Sequence, residues 1–197
     1  MKKTIEQDAL FEKQDYTVAF LPAGEYDNCV FKGCDFSNGE LRDCVFIDCE
    51  FTDCNLSMVK LGGTSFRDVR FADCKMLGLQ FDSCNQFGLS FGFVNCQLSF
   101  ASFYTTKLKK TRFSQCVMHE TDFSEADLSQ AVLEECDLTG AVFNYTNLEG
   151  CDLRTAVGYS FDPEENRVKG ARLSAQGALR LLDKYKLRIE NLILDVP

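Results

Sequence analysis

A large apolar residue returns at every fifth position through most of this chain, and few backbones can accommodate that period. From Tyr26 the series runs Phe31, Phe36, Leu41, Phe46, Phe51, Leu56, Leu61, Phe66, Phe71, Met76, Phe81, Gln86 and Phe91. It restarts at Leu98 and continues through Phe103, Leu108, Phe113, Met118, Phe123, Leu128, Leu133, Leu138, Phe143, Leu148 and Leu153. Of these 26 central positions, 24 hold Phe, Leu or Met, so the period is a property of the whole segment. Neither the 3.6-residue period of a helix nor the alternation of a simple strand generates it.

Two places before the central residues runs a second, slim series: Cys29, Cys34, Gly39, Cys44, Cys49, Cys54, Val59, Thr64, and later Ala101, Thr106, Cys116, Ala126 and Ala131. All eleven cysteines fall in this slot. In extended backbone, residues two apart share a side, so one large and one slim side chain per five residues point inward. The other three positions collect Asp, Asn, Glu, Lys, Arg, Ser and Gly, as outward and turn positions should.

Ala126-Asp127-Leu128, Cys136-Asp137-Leu138, Thr146-Asn147-Leu148 and Cys151-Asp152-Leu153 state the unit most clearly. Over residues 26–153 the chain resembles the pentapeptide-repeat family, whose consensus is Ala-Asp/Asn-Leu-x-x. The resemblance implies an all-β fold, a right-handed quadrilateral parallel β-helix in which four pentapeptides make each coil. At an inter-strand spacing of about 4.8 Å, some 6.5 coils give a rod of roughly 30 Å. The step of seven from Phe91 to Leu98 places a two-residue insertion around Gly92-Phe93-Val94, where a bulge or register shift near 92–95 is expected. Cys34, Cys54, Cys74, Cys96, Cys116 and Cys136 keep the four-repeat interval across it and should form one ladder.

Terminal coils need covering. Residues 1–25 read as an irregular N-terminal cap, with Pro22-Ala23-Gly24 turning into the repeat region of 26–173. At the other end Ser174 is placed to cap a short α-helix reaching about Lys186, with Ala178, Leu181, Leu182 and Tyr185 on one face. Leu187, Ile189, Leu192 and Leu194 follow. Residues 174–197 thus form either a cap on the last coil or, as the resemblance implies, a homodimer contact, and the two are compatible.

Nothing in the sequence points to an enzyme. His119 is the only imidazole, and it adjoins a central residue, so it faces outward, away from the inward Cys116. Cysteines five apart on successive sides lack zinc-site spacing, and free buried thiols are expected, with no metal and no cofactor. Met1 to Phe20 holds no apolar run of signal-peptide or membrane-span length, which with the odd cysteine count favours a reducing cytoplasm and no membrane association.

The formal net charge of −9 argues against direct nucleic-acid binding. The charge is also blocked. Residues 25–57 carry −6, residues 58–112 carry +5, and residues 113–153 hold nine acids and no Lys or Arg. Those acids, Glu120, Asp122, Glu125, Asp127, Glu134, Glu135, Asp137, Glu149 and Asp152, match duplex DNA in charge per unit length. The segment Cys84-Asn85-Gln86-Phe87-Gly88-Leu89-Ser90-Phe91 resembles the quinolone-resistance (Qnr-type) subgroup. That resemblance implies a DNA mimic that binds DNA gyrase or topoisomerase IV and modulates quinolone sensitivity. The alternative expectation is a general protein-interaction scaffold with an unrelated partner.

Overall fold

The computed structural model describes residues 4–188 and shows an all-parallel β-solenoid of about eight turns that ends in one short helix. Each coil has four sides, named here by their central residues. The first carries Tyr26, Phe46 and Phe66; the second Phe31, Phe51, Phe71 and Phe93; the third Phe36, Leu56, Met76 and Leu98; the fourth Leu41, Leu61, Phe81, Phe103, Phe123 and Phe143. All of these are buried. The second side is a continuous nine-stranded sheet from Leu10–Glu12 to Arg172–Leu173.

Large rings stack directly above one another. On the second side Phe11, Phe31, Phe51, Phe71, Phe93 and Phe113 form a column with centroid spacings of 4.7, 4.6, 5.1, 5.3 and 5.1 Å. Rings on neighbouring sides meet edge to face, as Phe46 and Phe51 do at 5.2 Å and 76°. Both arrangements are favourable ring geometries, and each buried Phe adds about 1.5–3 kcal/mol of hydrophobic stabilisation.

The slim slot has a polar role as well. Cys54 and Cys74 donate Sγ–H to the carbonyls of Phe31 and Phe51, each at 3.3 Å. Thr64, Thr121 and Thr146 do the same to Leu41, Leu98 and Phe123 at 2.7, 3.1 and 2.8 Å. In every case the acceptor belongs to the coil below, so a slim residue with one donor ties successive coils together. All eleven thiols are buried, and Cys34, Cys54, Cys74, Cys96, Cys116 and Cys136 occupy equivalent places in successive coils. Corners turn through left-handed residues, among them Asp43, Asp48, Asp53, Asp68 and Asp73. Asp, Asn and Gly tolerate that conformation best, which accounts for their place in the repeat.

Three boundaries differ from the sequence expectation. Thr4–Gln7 pairs with Gly24–Asp27, and Leu10–Glu12 with Val30–Lys32, so regular parallel pairing reaches back into the segment expected to be an irregular cap. The insertion also lies earlier than Gly92. Asn85 still bonds to Thr64 in the regular register, whereas Ser90 bonds to Phe66 and Val69 pairs with Phe91. The two extra residues are therefore accommodated within 86–90, and Phe93, not Phe91, is the central residue above Phe71. The cause is Gln86. Its amide nitrogen bonds the carbonyls of Phe81 and Cys84, and Phe91 packs inward beside Phe81, Phe93 and Phe103.

The third difference is at the C-terminal end. Helix α1 spans only Ala175–Arg180, with Ser174 as its N-cap accepting from the Gly177 amide at 3.0 Å. A separate 3₁₀ turn, Asp183–Tyr185, follows. Gly177 and Leu181 pack on the last coil, while Ala178, Leu182 and Tyr185 are exposed. Gly177 rests on Tyr159, where a Cβ would lie 1.8 Å from the phenol oxygen. Ile189, Leu192 and Leu194 lie outside the described residues. No described helix is long and apolar enough to cross a membrane.

Candidate docking surface

The nine acids of residues 113–153 do not share a side. Asp127 and Glu149 stand on the first, Glu134, Glu135 and Asp152 on the second, Glu120 and Asp137 on the third, Asp122 and Glu125 on the fourth; together they encircle two coils. Four of them meet a basic side chain. Glu134 bonds Arg112 at 2.6 Å, Glu149 bonds Arg167 at 3.0 Å, and Asp152 lies 2.8 Å from Arg154 and 3.3 Å from Arg172. Asp137 meets His119 Nε2 at 2.8 Å. Hydrogen bonds from Thr139, and then from His119, hold the Asp137 carboxyl below its ordinary range. Arg154, with Arg172 adding a smaller part, does the same for Asp152. Glu135 accepts from Gln115 at 3.0 Å.

Glu120, Asp122, Glu125 and Asp127 form no ion pair among the described residues. They follow one another around a single coil, from the third-side corner across the fourth side to the first. The slots of the repeat bring four apolar side chains to the same area. Phe100 lies one coil before Glu120, Tyr104 one coil before Ser124, Val142 above Asp122, and Tyr145 one coil after Glu125. All four are exposed, Phe100 to 58% and Tyr145 to 70%. Tyr104 donates its hydroxyl to Glu125 at 3.1 Å, and that bond raises the phenol above its ordinary range.

Two of these aromatics are held at a cost. Phe100 and Tyr145 occupy the left-handed corner position at φ 62° and 55°, where Gly or Asn would relieve the strain. Water and backbone alike would favour a small polar residue at these corners. Large exposed aromatics beside carboxylates with no cationic partner are the side-chain types that anchor protein interfaces.

The sequence reading reached the four acids but passed over the aromatics. Their signal was available, because outward slots of the repeat that hold Phe or Tyr depart from the polar rule. His119 faces outward as expected, although its partner, eighteen residues on, could not be read from the repeat. Among the described residues no cluster of three or more His, Cys, Asp or Glu has the geometry to hold a metal ion.

The pattern described for the pentapeptide repeat region matches residues 25–92 and 90–156. No curated protein matches the chain in sequence. Among solved structures, HetL of the cyanobacterium Nostoc sp. strain PCC 7120, described as a pentapeptide repeat protein involved in heterocyst differentiation regulation, superposes with a TM-score of 0.62. It is 13% identical, over 87% of this chain and 84% of its own. QnrB1, described as a plasmid-mediated fluoroquinolone resistance protein, gives a TM-score of 0.48 at 21% identity over 93% of this chain and all of its own. At 13% identity the likeness to HetL concerns the fold.

Proposed function

The chain belongs to the pentapeptide-repeat family, and from that premise we propose that it is a non-catalytic docking rod whose fourth side binds a protein partner carrying basic and apolar residues. The observation that supports this is the patch of Phe100, Tyr104, Val142 and Tyr145 set among Glu120, Asp122, Glu125 and Asp127. Burying a Tyr or Phe beside a carboxylate that is paired only on binding favours a cationic, partly apolar segment. Stacked coils hold the patch rigid, so binding costs little ordering entropy.

Affinity capture tests the reading, using the whole chain and a Tyr104→Ser/Glu125→Lys/Tyr145→Ser variant. A protein retained by the first and lost from the second is the expected result. Identical capture by both removes the fourth side as the docking surface.

A second, finer reading takes DNA gyrase or topoisomerase IV as the partner, with the rod as a DNA mimic. It is favoured by the acids of residues 113–153 encircling two coils, since a duplex also presents charge all round its axis. A supercoiling assay with and without ciprofloxacin decides it: no inhibition and no protection at micromolar protein exclude both enzymes. Self-association through the C-terminal segment belongs to the same proposal, since Leu182, Tyr185 and Leu187 are exposed there. Light scattering on a variant with Ser at these three positions should report a monomer where the parent reports a dimer.

A further inference from the structure

The acidic rod carries a groove with two arginines in its lining on the second side and the corner that leads into it, across the coil from the docking patch. We propose that this groove binds a short, extended, acidic peptide segment of a partner protein. It lies beside the insertion, with a volume of about 530 Å³, and is lined by Arg70, Gly92, Phe93, Arg112, Asp68 and Ser90 among others. Arg70, Gly92 and Arg112 occupy one outward column of the second-side sheet. Gly92 leaves the space between the two guanidinium groups open.

The charge available there is positive. Of the two lining arginines, Arg70 forms no ion pair among the described residues and Arg112 is engaged by Glu134 at 2.6 Å, while Arg67, Lys107, Lys109 and Lys110 on the adjoining first side and its corner form none and add positive charge beside the groove. The acid in the lining, Asp68, accepts the Ser90 hydroxyl at 2.9 Å. On the adjoining first side the insertion lifts Phe87 to 79% exposure. Arginines in this setting hold carboxylates through paired N–H donors, and an exposed ring beside them receives an apolar or cationic neighbour.

Size selects the ligand. The basic zone covers three coils, so its extent along the rod is roughly 10 Å. At about 3.3 Å per residue, that suits three or four residues of extended peptide. A duplex advances about 34 Å per turn and, lying along the rod, would meet acids on both flanks: Asp48, Glu50 and Asp53 on one, Glu135 and Asp152 on the other. A short acidic segment keeps the attraction and avoids that repulsion.

Fluorescence anisotropy with a labelled peptide of alternating Glu and Phe, at low ionic strength, tests the proposal. Saturable binding is expected, weakened by added salt and absent for the peptide with Lys in place of Glu. Arg70→Glu with Lys109→Glu should weaken it at least about tenfold. Gly92→Val should weaken it by filling the groove. A Cβ there meets only the Arg112 carbonyl oxygen at 3.7 Å, so the strand tolerates the change, and a thermal melt by circular dichroism verifies this. The Tyr104→Ser/Glu125→Lys/Tyr145→Ser variant should bind the acidic peptide as the parent does, which separates this groove from the fourth-side patch. The proposal is overturned by failure to saturate at millimolar peptide, by unchanged affinity in the charge-reversed and Gly92→Val proteins, or by labelled duplex DNA binding as tightly as the peptide.

Discussion

Phe71 and Phe93 stack with ring centroids 5.3 Å apart and an interplanar angle of 11°, although twenty-two residues separate them and twenty separate the other stacked pairs of their column. The extra two residues leave the column intact because they are taken up between the first and second sides, within 86–90. The second side therefore runs unbroken through the irregularity. Replacing Phe71 or Phe93 by Ala should destabilise the protein by about 3–5 kcal/mol in a denaturant titration, since each ring loses stacked neighbours above and below. A loss under about 1 kcal/mol would contradict the assigned register.

Thr121 lies fully buried in the slim slot, with Oγ1 bonded to the Leu98 carbonyl at 3.1 Å. Thr121→Val keeps the shape and removes one of the two hydrogen bonds to that carbonyl, which still accepts from the Ala101 amide at 3.1 Å, at an expected cost of about 0.5–1.5 kcal/mol. Thr121→Cys retains a weak donor of the kind used in the other coils and should cost less. The reverse order, measured by urea unfolding of both variants, is the outcome that excludes a hydrogen-bonding role for the slot.

Burial pushes the Cys49 thiol up to about 11 and the Cys151 thiol up to about 12. Hydrogen bonding along the sulfur ladder takes Cys96 and Cys116 up to about 12 and lowers Cys54 and Cys136 of the same ladder, so the ladder's contributions offset one another and the pH effect rests on thiols such as Cys49 and Cys151. In the unfolded chain a thiol ionises near 8.5. The folded state therefore holds more protons in the interval between, and stability is full below about pH 8.5 and falls as pH rises. The slope is about 1.4 kcal/mol per pH unit for each such thiol. Melting temperatures at increasing alkaline pH should decline accordingly, and a flat profile from pH 8 to 10 excludes the effect. In the same protein a thiol reagent should modify no buried cysteine before unfolding and all eleven afterwards, without reductant.

Phe100 gives a way to separate stability from binding. Phe100→Gly removes the left-handed strain, a gain of about 1–2 kcal/mol, against about 0.5–1 kcal/mol of added chain entropy. The variant should be as stable as the parent or slightly more so in thermal melts, while partner capture falls. Capture that stays at the parental level would show that the aromatic is not needed for docking.

The contact of Gly177 with Tyr159 holds helix α1 on the last coil. Gly177→Val has no room and should displace the helix, exposing the end of the core. Limited proteolysis should then cut near residue 175 much faster than in the parent, with the coils at Phe51 and Phe71 still protected. Unchanged cleavage would mean that the helix is held by other contacts.

The repeat was legible because each coil repeats one local decision: a bulky residue and a slim one face the axis, and three positions face water. From that alternation the sequence alone determined the buried positions of Phe51 and Phe71 and the confinement of every cysteine to one inward slot, while the parallel solenoid was an expectation carried by the resemblance of the repeat unit to a known family. It could not place the insertion, since Phe91 and Phe93 are equally apolar and only packing against Phe71 and Phe81 chooses between them. It could not say which acids remain available either. Glu134 and Arg112, or Asp137 and His119, are far apart in the chain and meet only because stacking brings residues of neighbouring coils within hydrogen-bonding distance. For the same reason the gathering of Phe100, Tyr104, Val142 and Tyr145 around Glu125, and the open space between Arg70 and Arg112, are decided by the tertiary structure: the sequence sets what each slot holds, and the coil-to-coil register sets what lies beside it.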